Sequence, residues 1–224
     1  MLPISIVIPT YKREQVLVDS IRDLLALEEP AAEIVVVDQT PQHEPATETF
    51  LREAEAAGRL RHVRLAQPSI TAAMNAGLTH SSQSVVLFLD DDIRPDASLV
   101  AAHWQAHQSH PGALVAGRVL QPWDREGCEY PTDGPFLFAS THERWIDEFM
   151  GGNFSLARDA ALAIGGFDEN FVRVAYRFEA EFAHRWRASD ARTRLRSDRR
   201  RARSSRRIPP APTRWSDGSR NCRP

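Results

Sequence analysis

Residues 85 to 96 read VVLFLDDDIRPD, five apolar residues running straight into three aspartates, Asp90, Asp91 and Asp92. Adjacent carboxylates repel one another and each resists leaving water, so the arrangement opposes folding unless a cation or hydrogen-bond donors compensate it. Side chains of an extended chain alternate faces, which would put Asp90 and Asp92 on one side and Asp91 on the other. One of the pair could then hold a divalent cation and the other a hydroxyl or water. Mg²⁺ and Mn²⁺ keep several waters and take one or two carboxylates plus substrate phosphates, a demand that so sparse a ligand set can meet. Taken alone, D-x-D is a short pattern that a solvated acidic turn would also produce.

Two other groupings could do chemistry. RFEAEFAHR, residues 177 to 185, holds Glu179 and Glu181 near the start of an amphipathic segment in which Phe178 and Phe182 stand four apart. A carboxylate there could be a general base, or could simply complement the helix dipole. HWQAH, residues 103 to 107, places two histidines at i, i+4 on one helix face with His110 close by, a spacing that can ligate zinc. Trp104 stands where a zinc peptidase carries its glutamate and no third ligand is evident, so exposed imidazoles are expected instead. Cys128 and Cys222 are isolated, without CxxC spacing, which argues against a disulfide framework.

Regular elements must carry these groups. ISIVIPT (4 to 10) and EIVVVDQTP (33 to 41) are strand-length β-branched runs, and REQVLVDSIRDLLAL between them lays Val16, Leu17, Ile21, Leu24 and Leu25 along one helical stripe. Strand, helix, strand is the unit of a parallel sheet. A polar helix is expected over 44 to 57, a short strand at HVRLA (62 to 66), and a helix over 69 to 78 with Ser69 as N-cap. VVLFL, with no alternation, reads as the most buried strand, and a helix opening at Pro95 or Asp96 should run to His107. The fold class is therefore α/β with a mainly parallel central sheet flanked by helices. Ligands of such sheets bind outside the carboxyl ends of the strands near a switch in strand order, so Thr10, Tyr11, Asp38 and Asp90 to Asp92 should converge on one edge.

Composition adds an asymmetry. Across 224 residues the charged fraction is 26%, the apolar fraction 42% and the net charge -2, all ordinary for one substantial domain. Residues 1 to 185 nevertheless hold 15 basic and 27 acidic side chains, net -12, whereas 186 to 224 hold 13 and 3, net +10. The segment RTRLRSDRRRARSSRR has almost nothing apolar to fold with, which predicts disorder, although such a run could bind nucleic acid or an anionic surface. No apolar stretch approaches the ~20 residues of a membrane span and no leader pattern opens the chain, so a cytoplasmic location, or one peripheral to a membrane, is expected.

Six stretches taken together resemble family 2 glycosyltransferases, which use nucleotide sugars and have the GT-A fold. They are SIVIPTYKR (5 to 13), IVVVDQT (34 to 40), SITAAMNAG (69 to 77), VLFLDDDI (86 to 93), GGNFSLAR (151 to 158) and GGFDENF (165 to 171) leading to YRFEAEFAHR (176 to 185). Their joint occurrence in order is far more specific than any one of them. The resemblance implies a nucleotide-binding half over about residues 1 to 110 and an acceptor half over 111 to 187. It implies that Pro9, Thr10, Tyr11 and Arg13 line the nucleotide pocket, that Asp38 meets the base, and that Asn75, Asp90 and Asp91 lie near the nucleotide. Asp92, with Asp90, would hold Mn²⁺ or Mg²⁺. Gly151, Gly152, Asn153 and Asp168 would shape the sugar and acceptor side, though an aspartate after Gly-Gly-Phe is also a good turn residue.

Glu179 is the implied base, with Glu181 in reserve, because Ala180 interrupts the family's acidic pair. Met74 stands where the family commonly carries arginine. The partners implied are a nucleoside diphosphate sugar and an acceptor that is a glycan, a lipid-linked glycan or a small molecule, with inversion at the anomeric carbon and no nucleic acid. After about Arg187 the resemblance stops, and residues 188 to 224 read like GC-rich coding sequence out of frame, which would truncate the acceptor half. An inactive nucleotide-sugar-binding remnant is therefore the main alternative. A sugar-phosphate nucleotidyltransferase would need a glycine-rich loop after the first strand, and PTYKR has no glycine.

Overall fold

The computed structural model describes residues 1–122, 138–139, 143–172 and 177–189, together with the backbone of 195–206. The chain opens with β1 (Leu2–Thr10), α1 (Gln15–Leu25), β2 (Ala31–Asp38), α2 (Pro45–Ala56) and β3 (Arg61–Arg64). It continues with α3 (Ile70–His80), β4 (Val85–Leu89), β5 (Ile93–Pro95), α4 (Leu99–Ser109), β6 (Leu114–Leu120) and β7 (Arg144–Ile146). The last elements are β8 (Asn153–Ala157), α5 (Arg158–Ala163), α6 (Phe178–Ser189) and β9 (Leu195–Arg206).

The first strands show no polar alternation because both sheet faces are covered. Ile4, Ile6, Ile8, Ile34, Val36, Val85, Leu87 and Leu89 pack under Leu17, Ile21 and Leu24 of α1, Leu51 of α2 and Leu99 of α4. The intervening Val7, Val35, Val37, Val86 and Phe88 pack under α3 and α6. On that second face Phe167 and Phe182 stack at 4.2 Å, Phe88 and Phe154 at 4.9 Å, and Phe182 lies 5.8 Å from Trp186. Each such ring stabilises the fold by about 1.5–3 kcal/mol on burial, enough to hold the amino end of α6 in one place.

Strand order is β3-β2-β1-β4-β8-β6-β9-β5, with β7 paired to β9. The first four strands are parallel, and β8 runs antiparallel between β4 and β6. Connections lead from β1 outward to β2 and β3, and α3 then returns the chain to the other flank of β1, so the switch in strand order falls between β1 and β4. Their carboxyl ends are Thr10 and the aspartate trio, the edge the sequence had pointed to.

Ser69 caps α3 as expected, its Oγ accepting the Ala72 N–H at 3.3 Å. The helix expected from Pro95 or Asp96 starts later, at Leu99. Asp96 Oδ1 accepts both the N–H and the hydroxyl of Ser98, at 3.0 and 2.9 Å, closing a local turn in front of the helix. In the Arg-rich tail the backbone of Leu195–Arg206 pairs with β6, β5 and β7, which needs only main-chain groups. Residues 190–194 and 207–224 lie outside the described residues, as do Cys128, Cys222 and Tyr176. No helix among the described residues is long and apolar enough to cross a membrane.

Candidate active site

Thr10 and the trio meet across the switch. The Thr10 hydroxyl donates to Asp91 Oδ2 at 2.7 Å, while Arg13 lies 3.4 Å from Asp91 Oδ1 and 3.6 Å from Asp92 Oδ2. Burial pushes the Asp91 carboxyl up to about 6, against the lowering effects of Thr10 and Arg13, and the neighbouring charges of Asp92 and Asp90 add to the rise. The alternation expected of the three acids is not found. The strand stops at Leu89 and the chain turns at once, so Asp91 and Asp92 share Arg13 while Asp90 goes its own way to Gly152. Tyr11 is exposed beside them, Pro9 is half-buried, and Lys12 adopts φ 54°. The Lys12 N–H donates to Thr40 Oγ1 at 2.8 Å, which holds this left-handed residue in place.

Asp38 sits in a different environment. It is buried, Oδ1 accepts the Thr40 N–H at 2.8 Å, and Oδ2 lies 2.9 Å from His43 Nε2 and 3.0 Å from His62 Nε2. Burial alone would raise its carboxyl, but His62, the amide and hydroxyl of Thr40, and His43 outweigh this and hold it far below the ordinary carboxylate range. His43 Nδ1 in turn faces both oxygens of Glu14, at 3.1 and 3.2 Å. His43 thus bridges the Asp38 and Glu14 carboxylates through its two ring nitrogens. The sequence reading missed Glu14, His43 and His62. The pairing of β2 with β3 sets His62 opposite Val36 and so beside Asp38, while His43 lies five residues past Asp38 and carries Glu14 on its other ring nitrogen.

Where β4 meets the start of β8 the structure brings Asp90, Gly151, Gly152 and Glu179 together. A Cβ on Gly152 would collide with the Asp90 carboxylate, and one on Gly151 would lie 3.1 Å from Glu179 Oε1 and 3.7 Å from the buried Met74. These glycines are thus needed for close approach. Burial raises the Glu179 carboxyl above its ordinary value; its own amide and that of Gly151 oppose this, and the charges of Asp90 and Glu148 add to it.

Glu181 is separated from that group. It is bound by Arg185, whose Nη2 lies 2.8 Å from Oε2 and whose Nη1 donates to the Ile164 carbonyl at 2.9 Å, bracing α6 against α5. Asn75 spends its amide on Phe167, donating to its carbonyl and accepting its N–H at 2.8 Å each, and also donates to Glu169. Asp168 closes a local turn onto Asn170 at 2.9 Å. Asn153 points inward and is 1% exposed. The histidines expected at the surface are likewise inside: His103 is 0% and His107 6% exposed, because both bond to Ser155 on β8.

A divalent cation fits this donor set in one way. Among the described residues no three His, Cys, Asp or Glu side chains converge on a closed cage. Asp92, partly exposed, offers hard carboxylate oxygen beside Arg13, which suits an ion drawing its other ligands from water and phosphate.

The fold is that of the GT-A glycosyltransferases. It matches GalNAc-T7 with UDP, GalNAc and Mn²⁺ at TM-score 0.73 and 13% identity over 92% of this chain and 44% of that one. It also matches the mannosyltransferase PcManGT of Pyrobaculum calidifontis in complex with GDP-Man and Mn²⁺, at TM-score 0.64 and 19% identity over 94% and 58%. The chain belongs to glycosyl transferase family 2, whose model matches residues 5–168. A glucosyl-dolichyl phosphate glucuronosyltransferase of Haloferax volcanii is 25% identical over 187 residues, covering 77% of this chain and 58% of that protein. The chain thus spans less than two thirds of the length of each of these proteins.

Proposed function

We propose that this chain transfers a sugar from a nucleoside diphosphate sugar to a hydroxyl acceptor, with a divalent cation at Asp92 and with Glu179 as base. The observation that carries this is the meeting of Glu179 and Asp90 on the two glycines, at the carboxyl end of β4. One carboxyl group with raised proton affinity stands on the acceptor side, and one acid of the trio stands opposite it on the nucleotide side. Family membership and Mn²⁺-containing structural neighbours support the reading.

Thr10, Tyr11 and Arg13 line the mouth of the nucleotide pocket, and Asp38 holds its wall. Glu179 takes the proton of the acceptor hydroxyl as that oxygen attacks the anomeric carbon from the face opposite the phosphate, so a single displacement inverts the centre. The bond from anomeric carbon to phosphate breaks and its electrons stay on the departing diphosphate. A divalent cation supplies Lewis-acid stabilisation of that developing charge. Partial burial suits Glu179 to the task, since a base with raised proton affinity accepts a proton more readily near neutral pH. Glu181, braced by Arg185, keeps α6 in position, and residues 1 to 187 make up the transferase domain.

A donor-hydrolysis and transfer screen over common nucleotide sugars tests this, with wild type beside Asp92→Ala and Glu179→Gln. Asp92→Ala should lose metal-dependent diphosphate binding. Glu179→Gln should retain binding and lose turnover by about 10²–10⁴-fold, the usual worth of a general base. Equal diphosphate affinity in Asp92→Ala and wild type with Mn²⁺ present would refute the metal assignment. Binding without turnover in wild type, for every donor, would leave an inactive remnant.

A further inference from the structure

Four polar side chains lie buried between α4 and the β6–β8 pair and take no part in the chemistry above: His103, His107, Asn153 and Ser155. Their hydrogen bonds run in one direction only. Asn153 Nδ2 donates to the Arg118 carbonyl at 3.2 Å, and because a carbonyl can only accept, the amide oxygen must be the atom facing His103 Nε2 at 2.9 Å. That contact requires a hydrogen on Nε2. Burial, opposed by the Asn153 contact and aided by His107, pushes His103 down to about 3, so the ring is neutral and Nδ1 carries a lone pair. The Ser155 hydroxyl, 2.7 Å away, donates to it. Ser155 has then given its one hydrogen, and its oxygen accepts Nε2–H of His107 at 2.8 Å, a ring that burial holds at about 4.

The relay therefore passes from His107 to Ser155, His103, Asn153 and the β6 backbone. An apolar core of the same volume would be at least as stable; a hydrogen-bonded network adds one defined geometry. Its end point decides what that geometry is for. Asn153 opens β8 opposite Leu89, immediately after the two glycines that touch Glu179 and Asp90, and the Asp90 N–H donates to the Gly152 carbonyl at 3.3 Å.

We propose that His103 is a positioning residue: by donating its Nε2 hydrogen to Asn153 it fixes the first residue of β8, and with it the Gly151–Gly152 turn that spaces Asp90 from Glu179. This rests on the reading of Glu179 and Asp90 as opposite sides of one active site.

Two measurements test it, and the first needs no variant. Nitrogen-15 imidazole spectra of the wild-type chain at neutral pH should show both His103 and His107 as Nε2–H tautomers. A His103 with its hydrogen on Nδ1 would overturn the proposal. The second compares His103→Gln, which keeps a donor that reaches Asn153, with His103→Asn, which keeps only an atom near Ser155. The Gln variant should leave the Gly151 and Gly152 amide resonances in place and turnover within about threefold of wild type. The Asn variant should move those resonances and lower kcat by about tenfold or more, with nucleoside diphosphate affinity within about twofold, because sub-ångström misplacement acts on the chemical step. Unmoved glycine resonances in His103→Asn, or equal shifts in both variants, would overturn it. Tautomers and glycine resonances are read without substrate, so absence of transferase activity in wild type would sink the functional reading and leave this one decided on its own observations.

Discussion

Two strands of the same parallel run, β2 and β4 on either side of β1, end in acids, and the protein treats them in opposite ways. At the end of β2, Asp38 is met by Thr40, His43 and His62, and its proton affinity falls far below that of an ordinary carboxylate. At the end of β4, Asp91 is nearly as buried but has only Thr10 and a loosely placed Arg13 to set against its two acidic neighbours, and its proton affinity rises, to about 6. The first acid is finished by the fold. The second is left short of positive charge.

The contrast can be broken most directly at Asp38. Asp38→Asn takes the buried carboxylate away from His43, His62 and the Thr40 amide and should cost about 3 kcal/mol in urea-unfolding experiments, the scale of a hydrogen bond to a charged group. A loss below about 1 kcal/mol, the scale of a surface ion pair, would show that the cluster is not what holds the β2 end.

A pH-dependent effect comes from the buried histidines, groups that the fold keeps neutral. Their folded-state values of about 3 and about 4 lie below the ordinary 6.5, so between pH 4 and 6.5 the unfolded chain binds more protons and stability must fall as pH falls. Each ring contributes up to about 1.4 kcal/mol per pH unit in that window, and His103→Gln/His107→Gln should flatten the profile of melting temperature against pH.

Asp91→Asn should have the opposite sign to Asp38→Asn. Because the folded Asp91 holds its proton up to about pH 6, its ionisation removes stability as pH rises from about 4 to 6, and the amide variant escapes this. Without added metal, at pH 8, the variant should be more stable than wild type by up to about 3 kcal/mol, the gain vanishing below pH 4. Destabilisation at both pH values would mean that Asp91 is as well satisfied as Asp38. The smallest effect belongs to Glu181→Gln. This partly exposed i, i+4 pair should be worth about 0.5 kcal/mol, with diphosphate binding unchanged; a large loss of turnover would shift the catalytic assignment from Glu179.

Much of the architecture was legible because it is written in local patterns. The β-branched runs at 4 to 8, 34 to 37 and 85 to 89, the stripe on α1 and the Ser69 cap all found their places. Where the reading went astray, a local rule was stretched past its element. Alternation was carried into Asp90 to Asp92 after the strand had stopped, and a helix start was assigned to Pro95 or Asp96 where a side-chain turn precedes the helix. The HWQAH imidazoles are expected at the surface because nothing in their neighbourhood along the chain reveals Ser155, the residue that bonds both rings inside.

Sequence by itself determined the kind of sheet, the edge on which chemistry is placed and the family to which the chain belongs, since periodicity and motif order need only near neighbours. Tertiary structure decided which acids are neutralised and which are not. His62 reaches Asp38, Gly151 and Gly152 bring Glu179 to Asp90, and His103 reaches Asn153 only through strand pairing and helix packing. Proton affinity depends on burial and on partners tens of residues away along the chain, and no spacing rule carries that information.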